Sequence, residues 1–329
     1  MRQSMSTILL RLAMLLRRGL WRPPSQHSLY SMPPSRKTTL PSTMANIFNA
    51  IRPNGNQLTV PSSPKMVKQF SNSSTSLPPT SLHGKVAVVT GSARSTGAAV
   101  ARYLGEQGAN VVVNYVNDAS LADGVVQTIR SQGKGGAIAV KADTVTLEGG
   151  QHLLDETMKT FGRIDILILN AGTWGAKTLA ETDEAFFDAQ FNTNVKAPLF
   201  LAKAAAPLLQ SPGGRIIFFS SSLTASSNVT PNSLCYLATK GAIEQISRVL
   251  AKDLGSRGIT VNTISPGPID TPYFREGKPQ GLLDSIARQN PAQRVGEPED
   301  IAPIVDFLAS QAAQWVNGQN IRVNGGYVV

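Results

Sequence analysis

A tyrosine and a lysine stand four positions apart, at Tyr236 and Lys240. On a helix, residues at i and i+4 share one face, so the lysine ammonium can lie near the phenol. An unperturbed tyrosine has a pKa of about 10 and exchanges protons poorly at neutral pH. A neighbouring cation lowers that pKa, which makes the pair a candidate for proton transfer. The spacing alone is common on helix surfaces, so the pair gains meaning only from other residues.

A glycine-rich turn follows the first predicted strand and leads straight into a helix. It runs over residues 90–99 and contains Gly91 and Gly97. Such a turn directs backbone N–H groups and the positive end of the helix dipole toward an anion. Its place in the first strand–helix unit indicates a phosphate-binding turn.

Strand-like and helix-like segments alternate from residue 85 onward, which predicts a parallel sheet covered by helices on both faces. The predicted strands are Val86–Thr90, Asn110–Tyr115, Ala137–Lys141, Ile164–Leu169, Arg215–Phe219, Ile259–Ile264 and Gln319–Val323. The predicted helices lie near 97–108, 119–132, 147–161, 184–209, 235–255 and 298–310. With no internal repeat, residues 82–329 fit one α/β domain.

The formal net charge of +10 is confined to the N-terminal part of the 329-residue chain. Ten of the 31 Lys and Arg residues lie within residues 1–84, and none of the 21 acidic residues does. The remainder is therefore balanced in charge, and we expect no nucleic-acid partner.

Scarce residue types exclude several kinds of site. Cys235 is the only cysteine, so we expect no disulfide, thiolate zinc site or paired redox centre. Of three histidines, only His152 lies in the predicted domain, within a helical pattern and beside no nucleophile motif. No metal site is expected, and any chemistry must use hydroxyls, a lysine and a bound cofactor.

The first 84 residues divide into two parts by composition. Residues 1–22 alternate leucines and arginines as an amphipathic helix does, which is typical of a mitochondrial transit peptide. Residues 23–81 are rich in Pro and Ser and are predicted to be a disordered linker. A translation start at Met44 or Met66 is the alternative, and the chain is then cytoplasmic. Since arginine interrupts the apolar run, no membrane span is expected.

Over residues 82–329 the chain resembles the short-chain dehydrogenase/reductase family, and within it the NADPH-dependent aldehyde and ketone reductases. The resemblance rests on motifs that occur in the family's order. They are the glycine-rich turn, Asn170-Ala171-Gly172, Asn194, the serines at 220–222, Tyr236 with Lys240, Pro266-Gly267, 294–300, 316–318 and 324–326. The resemblance implies a single Rossmann-type, doubly wound domain with seven strands in the order 3-2-1-4-5-6-7.

The resemblance also implies the roles of four residues. Tyr236 is expected to be the general acid that protonates a carbonyl oxygen, and Lys240 to bind the nicotinamide ribose and lower the Tyr236 pKa. Asn194 is expected to hold a water on a proton path. A serine is expected to hydrogen-bond the substrate oxygen. Alignment of the preceding strand selects Ser221, whereas counting back from Tyr236 favours Ser222, and we expect Ser221.

The cofactor-binding residues implied by the resemblance lie at the ends of several strands. They are Gly91, Arg94, Ser95, Thr96, Gly97, Asn114, Asp143, Asn170, Ala171, Gly172, Tyr236, Lys240, Pro266, Gly267, Ile269 and Thr271. No acid ends the second strand before Asp118, and Arg94 can pair with a 2′-phosphate, so we expect NADP(H) rather than NAD(H). Ser95 departs from the family, which has a glycine there, and its Cβ approaches the expected diphosphate.

The implied function is NADPH-dependent reduction of an aldehyde or ketone to an alcohol. The alternatives are a catalytically silent dinucleotide-binding module and an NAD-linked alcohol dehydrogenase. We expect a substrate lid over Thr271 to Asn290, with Trp174 and Phe274 lining the pocket. A homodimer or homotetramer is expected through the helices that contain Asn194 and Tyr236, using the apolar face of residues Ala202, Ala205, Leu208 and Leu209 and the helix Ile243–Leu250.

Overall fold

Seven parallel strands form one sheet in the computed structural model, which describes residues 81–329. The order is β3-β2-β1-β4-β5-β6-β7, so the predicted fold class and strand order are confirmed. The strands are β1 Val86–Val89, β2 Asn110–Tyr115, β3 Ala137–Lys141, β4 Ile166–Leu169, β5 Arg215–Phe219, β6 Thr260–Pro266 and β7 Asn320–Val323.

The central strands are apolar along their whole length because helices cover both faces of the sheet. Every residue of β1 (VAVV) and β4 (ILIL) is buried. Val88 lies beside Val112 of β2 and Leu167 of β4. Successive side chains point to opposite faces, so Val88 joins one apolar cluster while Ala87 and Val89 join the other. This two-sided core fixes where each strand ends.

Nine α-helices connect and flank the strands within residues 81–329. They are α1 Ser95–Glu106, α2 Ala119–Gln132, α3 Leu147–Phe161, α4 Glu184–Phe191, α5 Ala197–Ala205, α6 Leu234–Leu254, α7 Pro272–Arg275, α8 Gln280–Arg288 and α9 Pro298–Ala309. Capping residues in the sequence explain where several of these helices begin and end. Asp118 and Thr146 cap the starts of α2 and α3 through their side chains, and Gly133 and Gly162 follow the ends in left-handed conformations.

The predicted helix 184–209 is wrong as a single element. A π-helical turn, Asn192–Lys196, separates α4 from α5, and α5 ends at Ala205. A π turn inserts one residue per turn and rotates the side chains that follow, which an apolar pattern does not reveal. The turn contains Asn194 and directs this residue toward the sheet edge.

The predicted lid, Thr271 to Asn290, contains two short helices, α7 and α8. Thr271 caps α7 by accepting a hydrogen bond from the Phe274 N–H. The sequence analysis did not predict either helix, because Pro, Gly and charged residues dominate this segment.

Three of the four side chains of the predicted contact face are unavailable to a partner, and the fourth, Leu208, is half-buried. Ala202, Ala205 and Leu209 are buried in the core of the domain, where they pack against Leu153 and Ile216. The exposed apolar side chains of this region are Phe187, Phe200 and Val249, the last with 67% of its surface accessible.

Within residues 81–329, every helix is too short or too polar to cross a lipid bilayer. The leader over 1–22 and almost all of the linker over 23–81 lie outside the described residues, so their predictions are untested.

Candidate active site

Tyr236 and Lys240 lie in the first two turns of α6, beside the carboxyl end of β5. Lys240 is only 6% exposed, and its Nζ lies 5.6 Å from the centre of the Tyr236 ring. The ammonium donates a hydrogen bond of 2.9 Å to the carbonyl oxygen of Phe219, the last residue of β5. The end of this strand therefore fixes the lysine beneath the tyrosine.

Ser221, and not Ser222, faces the tyrosine. The Ser221 hydroxyl is close enough to the Tyr236 phenol to lower its pKa, and it accepts a hydrogen bond from the Leu223 N–H at 3.3 Å. Ser222 is completely buried, and its hydroxyl has no hydrogen-bond partner in the described part of the chain. The structure thus brings the preferred serine to the site and places the alternative inside the protein.

Glu244, which the sequence analysis missed, holds the serine loop against α6. Its Oε1 accepts hydrogen bonds from Ser220 Oγ at 2.8 Å and Thr224 Oγ1 at 2.6 Å. These two hydroxyls flank Ser221 in the chain, so the carboxylate fixes the loop that carries it. A signal was present in the sequence, because Glu244 follows Lys240 by four residues and shares its helix face.

Asn194 reaches the site from the π-helical turn. Its Oδ1 accepts a hydrogen bond from the Thr173 N–H at 2.8 Å, and its Nδ2 donates to the Thr173 carbonyl oxygen at 2.9 Å. A Cβ on Gly172 would lie 3.1 Å from Asn194 Oδ1 and 3.5 Å from Lys240 Nζ. Gly172 therefore leaves room where the amide oxygen and the ammonium converge.

Burial changes the pKa of both central groups. Removal from water raises the pKa of Tyr236 to about 12, and the nearby Ser221 hydroxyl lowers it by less. The same cause lowers the pKa of Lys240 to about 8, because burial disfavours the charged amine. The expected lowering of the Tyr236 pKa by Lys240 and a bound nicotinamide stays a prediction. The phenol is fully protonated at neutral pH.

The glycine-rich turn lies at the same edge of the sheet, between β1 and α1. A Cβ on Gly97 would lie 2.4 Å from the Gly91 carbonyl oxygen and 2.6 Å from Asn170 Nδ2, so only glycine fits. Asn170 Nδ2 donates to the Thr90 and Gly91 carbonyl oxygens. The Ala171 N–H donates to Thr90 Oγ1. Residues 170–172, which follow β4, therefore hold the glycine-rich turn through hydrogen bonds to its backbone and to Thr90.

Asn114 lies beneath this turn and not in the cleft. It is buried, its Oδ1 accepts from the Gly91 N–H at 3.1 Å, and its Nδ2 donates to the Ala142 carbonyl oxygen at 2.9 Å. The amide joins the turn to the chain after β3, where the exposed Asp143 follows. Asn114 therefore supports the shape of the turn.

Two of the remaining predicted residues, Arg94 and Ser95, line a cleft beside the turn. Arg94 and Ser95 face Pro272, Tyr273, Arg275 and Glu276 across a cavity of about 540 Å³. Thr96 follows Ser95 in the first turn of α1. Pro266 ends β6, and the chain continues through Gly267 and Ile269 to Thr271 at the start of α7. The β6–α7 connection therefore brings the lid over the glycine-rich turn.

Tyr273 of α7, which the sequence analysis missed, closes the other end of the cleft. Its hydroxyl donates to the Trp174 carbonyl oxygen at 2.9 Å and accepts from the Trp174 N–H at 3.1 Å. The Trp174 ring meets the Tyr236 ring edge to face, with centres 4.5 Å apart. Trp174 therefore forms a wall of the site as predicted, whereas Phe274 lies under Lys278.

Ser95 has a left-handed backbone, with φ at +53°. A residue with a Cβ is disfavoured there by about 1 kcal/mol. We predict that Ser95→Gly raises the free energy of unfolding by about that amount, measured by denaturant titration. Ser95→Ala is the control, because it keeps the Cβ and removes the hydroxyl. Equal stability of Ser95→Gly and Ser95→Ala would contradict backbone strain as the cause.

Comparison with known proteins identifies the family. Residues 91–328 match the model described as enoyl-(acyl carrier protein) reductase. An NADPH-dependent aldehyde reductase-like, chloroplastic protein of Arabidopsis thaliana is 42% identical over 78% of this chain and 99% of its own length. A versicolorin reductase of Emericella nidulans is 41% identical over 74% of this chain and 96% of its own.

Solved structures agree with these relatives. A short-chain dehydrogenase of Burkholderia cenocepacia in complex with NADP is 34% identical, with a TM-score of 0.70. The match covers 75% of this chain and 98% of that one. The agreement extends over nearly the full length of each relative. The chain therefore belongs to the short-chain dehydrogenase/reductase family.

Proposed function

We propose that this protein is an NADPH-dependent reductase that converts an aldehyde or ketone to an alcohol. The observation that carries the proposal is the Tyr236 hydroxyl, which burial keeps protonated and which lies beside Ser221 and the buried Lys240. This group lies at the carboxyl edge of a doubly wound sheet, where such folds bind ligands.

The residues at this edge fit a dinucleotide. Because Gly97 has no side chain, a ligand can come close to the backbone of the turn. The N-terminus of α1 favours a diphosphate. Lys240 can reach the ribose hydroxyls of such a ligand. Thr96, Gly172 and the Pro266–Thr271 segment complete the proposed contacts. When bound, NADPH supplies a hydride from nicotinamide C4 to the carbonyl carbon.

NADPH is favoured over NADH by the charges around the adenosine end. Arg94 is exposed beside the turn and can pair with a 2′-phosphate. β2 ends at Tyr115 with no acid that would repel this phosphate. The name of the Arabidopsis thaliana relative and the NADP complex of the Burkholderia cenocepacia structure support the same cofactor.

The side chains divide the proton transfer among them. Tyr236 donates its hydroxyl proton to the carbonyl oxygen as the alkoxide develops, and Ser221 donates a hydrogen bond to the same oxygen. The Lys240 ammonium stabilises the phenolate that remains. Asn194 Oδ1 has a second lone pair that can hold a water near the lysine, through which a proton returns from solvent.

Two alternatives make different demands on the site. A silent binding module has no need for Tyr236, Lys240, Ser221 and Asn194 to converge. An NAD-linked alcohol dehydrogenase requires an acid at the end of β2 to bind the ribose hydroxyls, whereas β2 here ends at Tyr115. Both features support an NADP(H)-dependent enzyme.

Tyr236→Phe is predicted to abolish turnover while leaving NADPH bound. The substitution removes one hydroxyl and retains the ring that packs against Trp174. NADPH oxidation is to be measured with a panel of aliphatic and aromatic aldehydes and ketones, and NADPH binding by fluorescence. Equal turnover by the wild type and the variant would contradict the assigned general acid. Binding without turnover by the wild type across the panel would favour the silent module.

The rate of reduction should fall as the pH rises through about 8. Lys240 then loses the proton that gives it its charge, because burial lowers its pKa to about 8. Tyr236, with its pKa raised to about 12, stays protonated over this range. The measurement is kcat/KM against pH, which reports groups of the free enzyme. Lys240→Arg keeps the charge and should remove the decline, and a wild-type profile flat to high pH would oppose this assignment.

A homo-oligomer is the proposed assembly. Phe187 on α4, Phe200 on α5 and Val249 on α6 are exposed apolar side chains in the region that the sequence predicts for the contact. Burial of these side chains against a second copy removes them from water. Light scattering gives the mass in solution.

The basic leader is proposed to be an organelle-targeting segment. The Arabidopsis thaliana relative is named as chloroplastic. The acid-free composition of residues 1–84 supports targeting to an organelle. Mass spectrometry of the mature N-terminus distinguishes removal of this leader from its retention.

A further inference from the structure

We infer that Arg275, on the lid helix α7, is a second cofactor-binding cation that clamps the dinucleotide diphosphate from the side opposite the glycine-rich turn. This inference rests on the proposed function, since it assumes that a dinucleotide fills the cleft. It adds a residue and a competing carboxylate, Asp270, to the binding site.

The cleft has a guanidinium on each side. Arg94 and Ser95 belong to the turn before α1, and Arg275 belongs to α7, yet all three line the same cavity of about 540 Å³. Glu276 is the acidic residue that lines it, so the positive charge is in excess. Two guanidinium groups on opposite sides of a cleft can bind a polyanion from both sides. A single arginine binds it from one side only.

The position of Arg275 along the cleft selects the diphosphate. Ser95 opens α1, and the first N–H groups of that helix are the proposed diphosphate site. Arg275 is three residues after Pro272, in the helix that follows the proposed nicotinamide-binding segment, Pro266–Thr271. The lid therefore reaches the cleft on its nicotinamide and diphosphate side.

Arg275 is now held by a carboxylate that imitates a phosphate. Its Nε donates to Asp270 Oδ1 and its Nη2 to Asp270 Oδ2, so the guanidinium fork is filled by two oxygens. The arginine is exposed and its partner is partly exposed. Exposed ion pairs are weak because water and salt screen them, so a diphosphate oxygen pair can displace Asp270.

Other cations of the lid are placed differently. The Lys278 ammonium donates to the Phe274 carbonyl oxygen and lies over the Phe274 ring. Arg288 lies in the last turn of α8 and does not line the cavity. Arg288→Met is therefore a matched control that removes one lid charge away from the cleft.

The test is fluorescence titration of the whole protein with NADPH and with NADH. Both carry the diphosphate, and only NADPH carries the 2′-phosphate. Arg275→Met should weaken both by a similar factor of about ten, the expected effect of losing a charge-assisted contact. Arg94→Ala should weaken NADPH much more than NADH. Arg288→Met should leave both dissociation constants unchanged.

Asp270→Asn provides a readout that a merely structural role would not move. If Asp270 competes with the diphosphate for Arg275, its neutralisation should tighten binding of both dinucleotides. Wild-type dissociation constants for Arg275→Met would overturn the inference while leaving the proposed function intact. Selective loss of NADPH by Arg275→Met would overturn the assignment to the diphosphate. Failure of the wild-type protein to bind either dinucleotide would overturn the proposed function itself.

Discussion

A lysine ammonium that is almost completely buried, with the Phe219 carbonyl oxygen as its hydrogen-bond acceptor, constrains the rest of the site. Burial disfavours its charge, so the lysine holds its proton weakly, with a pKa of about 8. The acceptor is the last residue of β5, and the position of that strand is set by a core buried on both faces. The register of the sheet therefore determines where the charge lies, and the charge lies beneath Tyr236.

The glycine-rich turn is held in place by a steric constraint. Gly97 has no room for a Cβ, and Asn114 and Asn170 hold the turn through backbone groups. The turn and the lysine–tyrosine pair, the two sides of the site, meet because parallel strands end at one edge of the sheet. Lid helix α7 connects the two sides, because Arg275 lines the cavity shared with Arg94 and Ser95, and Tyr273 hydrogen-bonds the Trp174 backbone. Ser95 is the strained element of this arrangement, since it adopts a glycine-like backbone.

The sequence predicted the features that local pattern and family order determine. Apolar runs bounded by turns located every strand to within a few residues, and the ordered motifs implied the strand order. Features that depend on contacts distant in sequence were not predicted. Tyr273 meets Trp174 across 99 positions, and no periodicity links them. The π turn around Asn194 was missed because its flanking helices have one continuous apolar pattern. The raised Tyr236 pKa depends on burial, which residue types alone do not determine.

The choice between Ser221 and Ser222 shows the same division. The residue types are identical, and the two ways of counting disagree by one position. Within a strand, successive side chains alternate between the two faces of the sheet. After the strand ends, the loop conformation determines which serine hydroxyl points toward the site. In this protein the 3₁₀ turn begins at Ser222, so Ser221 remains extended and faces Tyr236. Only the loop conformation distinguishes them.

The most direct measurement uses NADPH with deuterium at the transferable position of nicotinamide C4 and a carbonyl compound that the protein consumes. Mass spectrometry then locates the label in the product. The account predicts one deuterium on the carbon that carried the carbonyl oxygen, now an alcohol carbon. Deuterium on the β-carbon of an unsaturated substrate, with the carbonyl retained, would contradict it and indicate reduction of a carbon–carbon double bond.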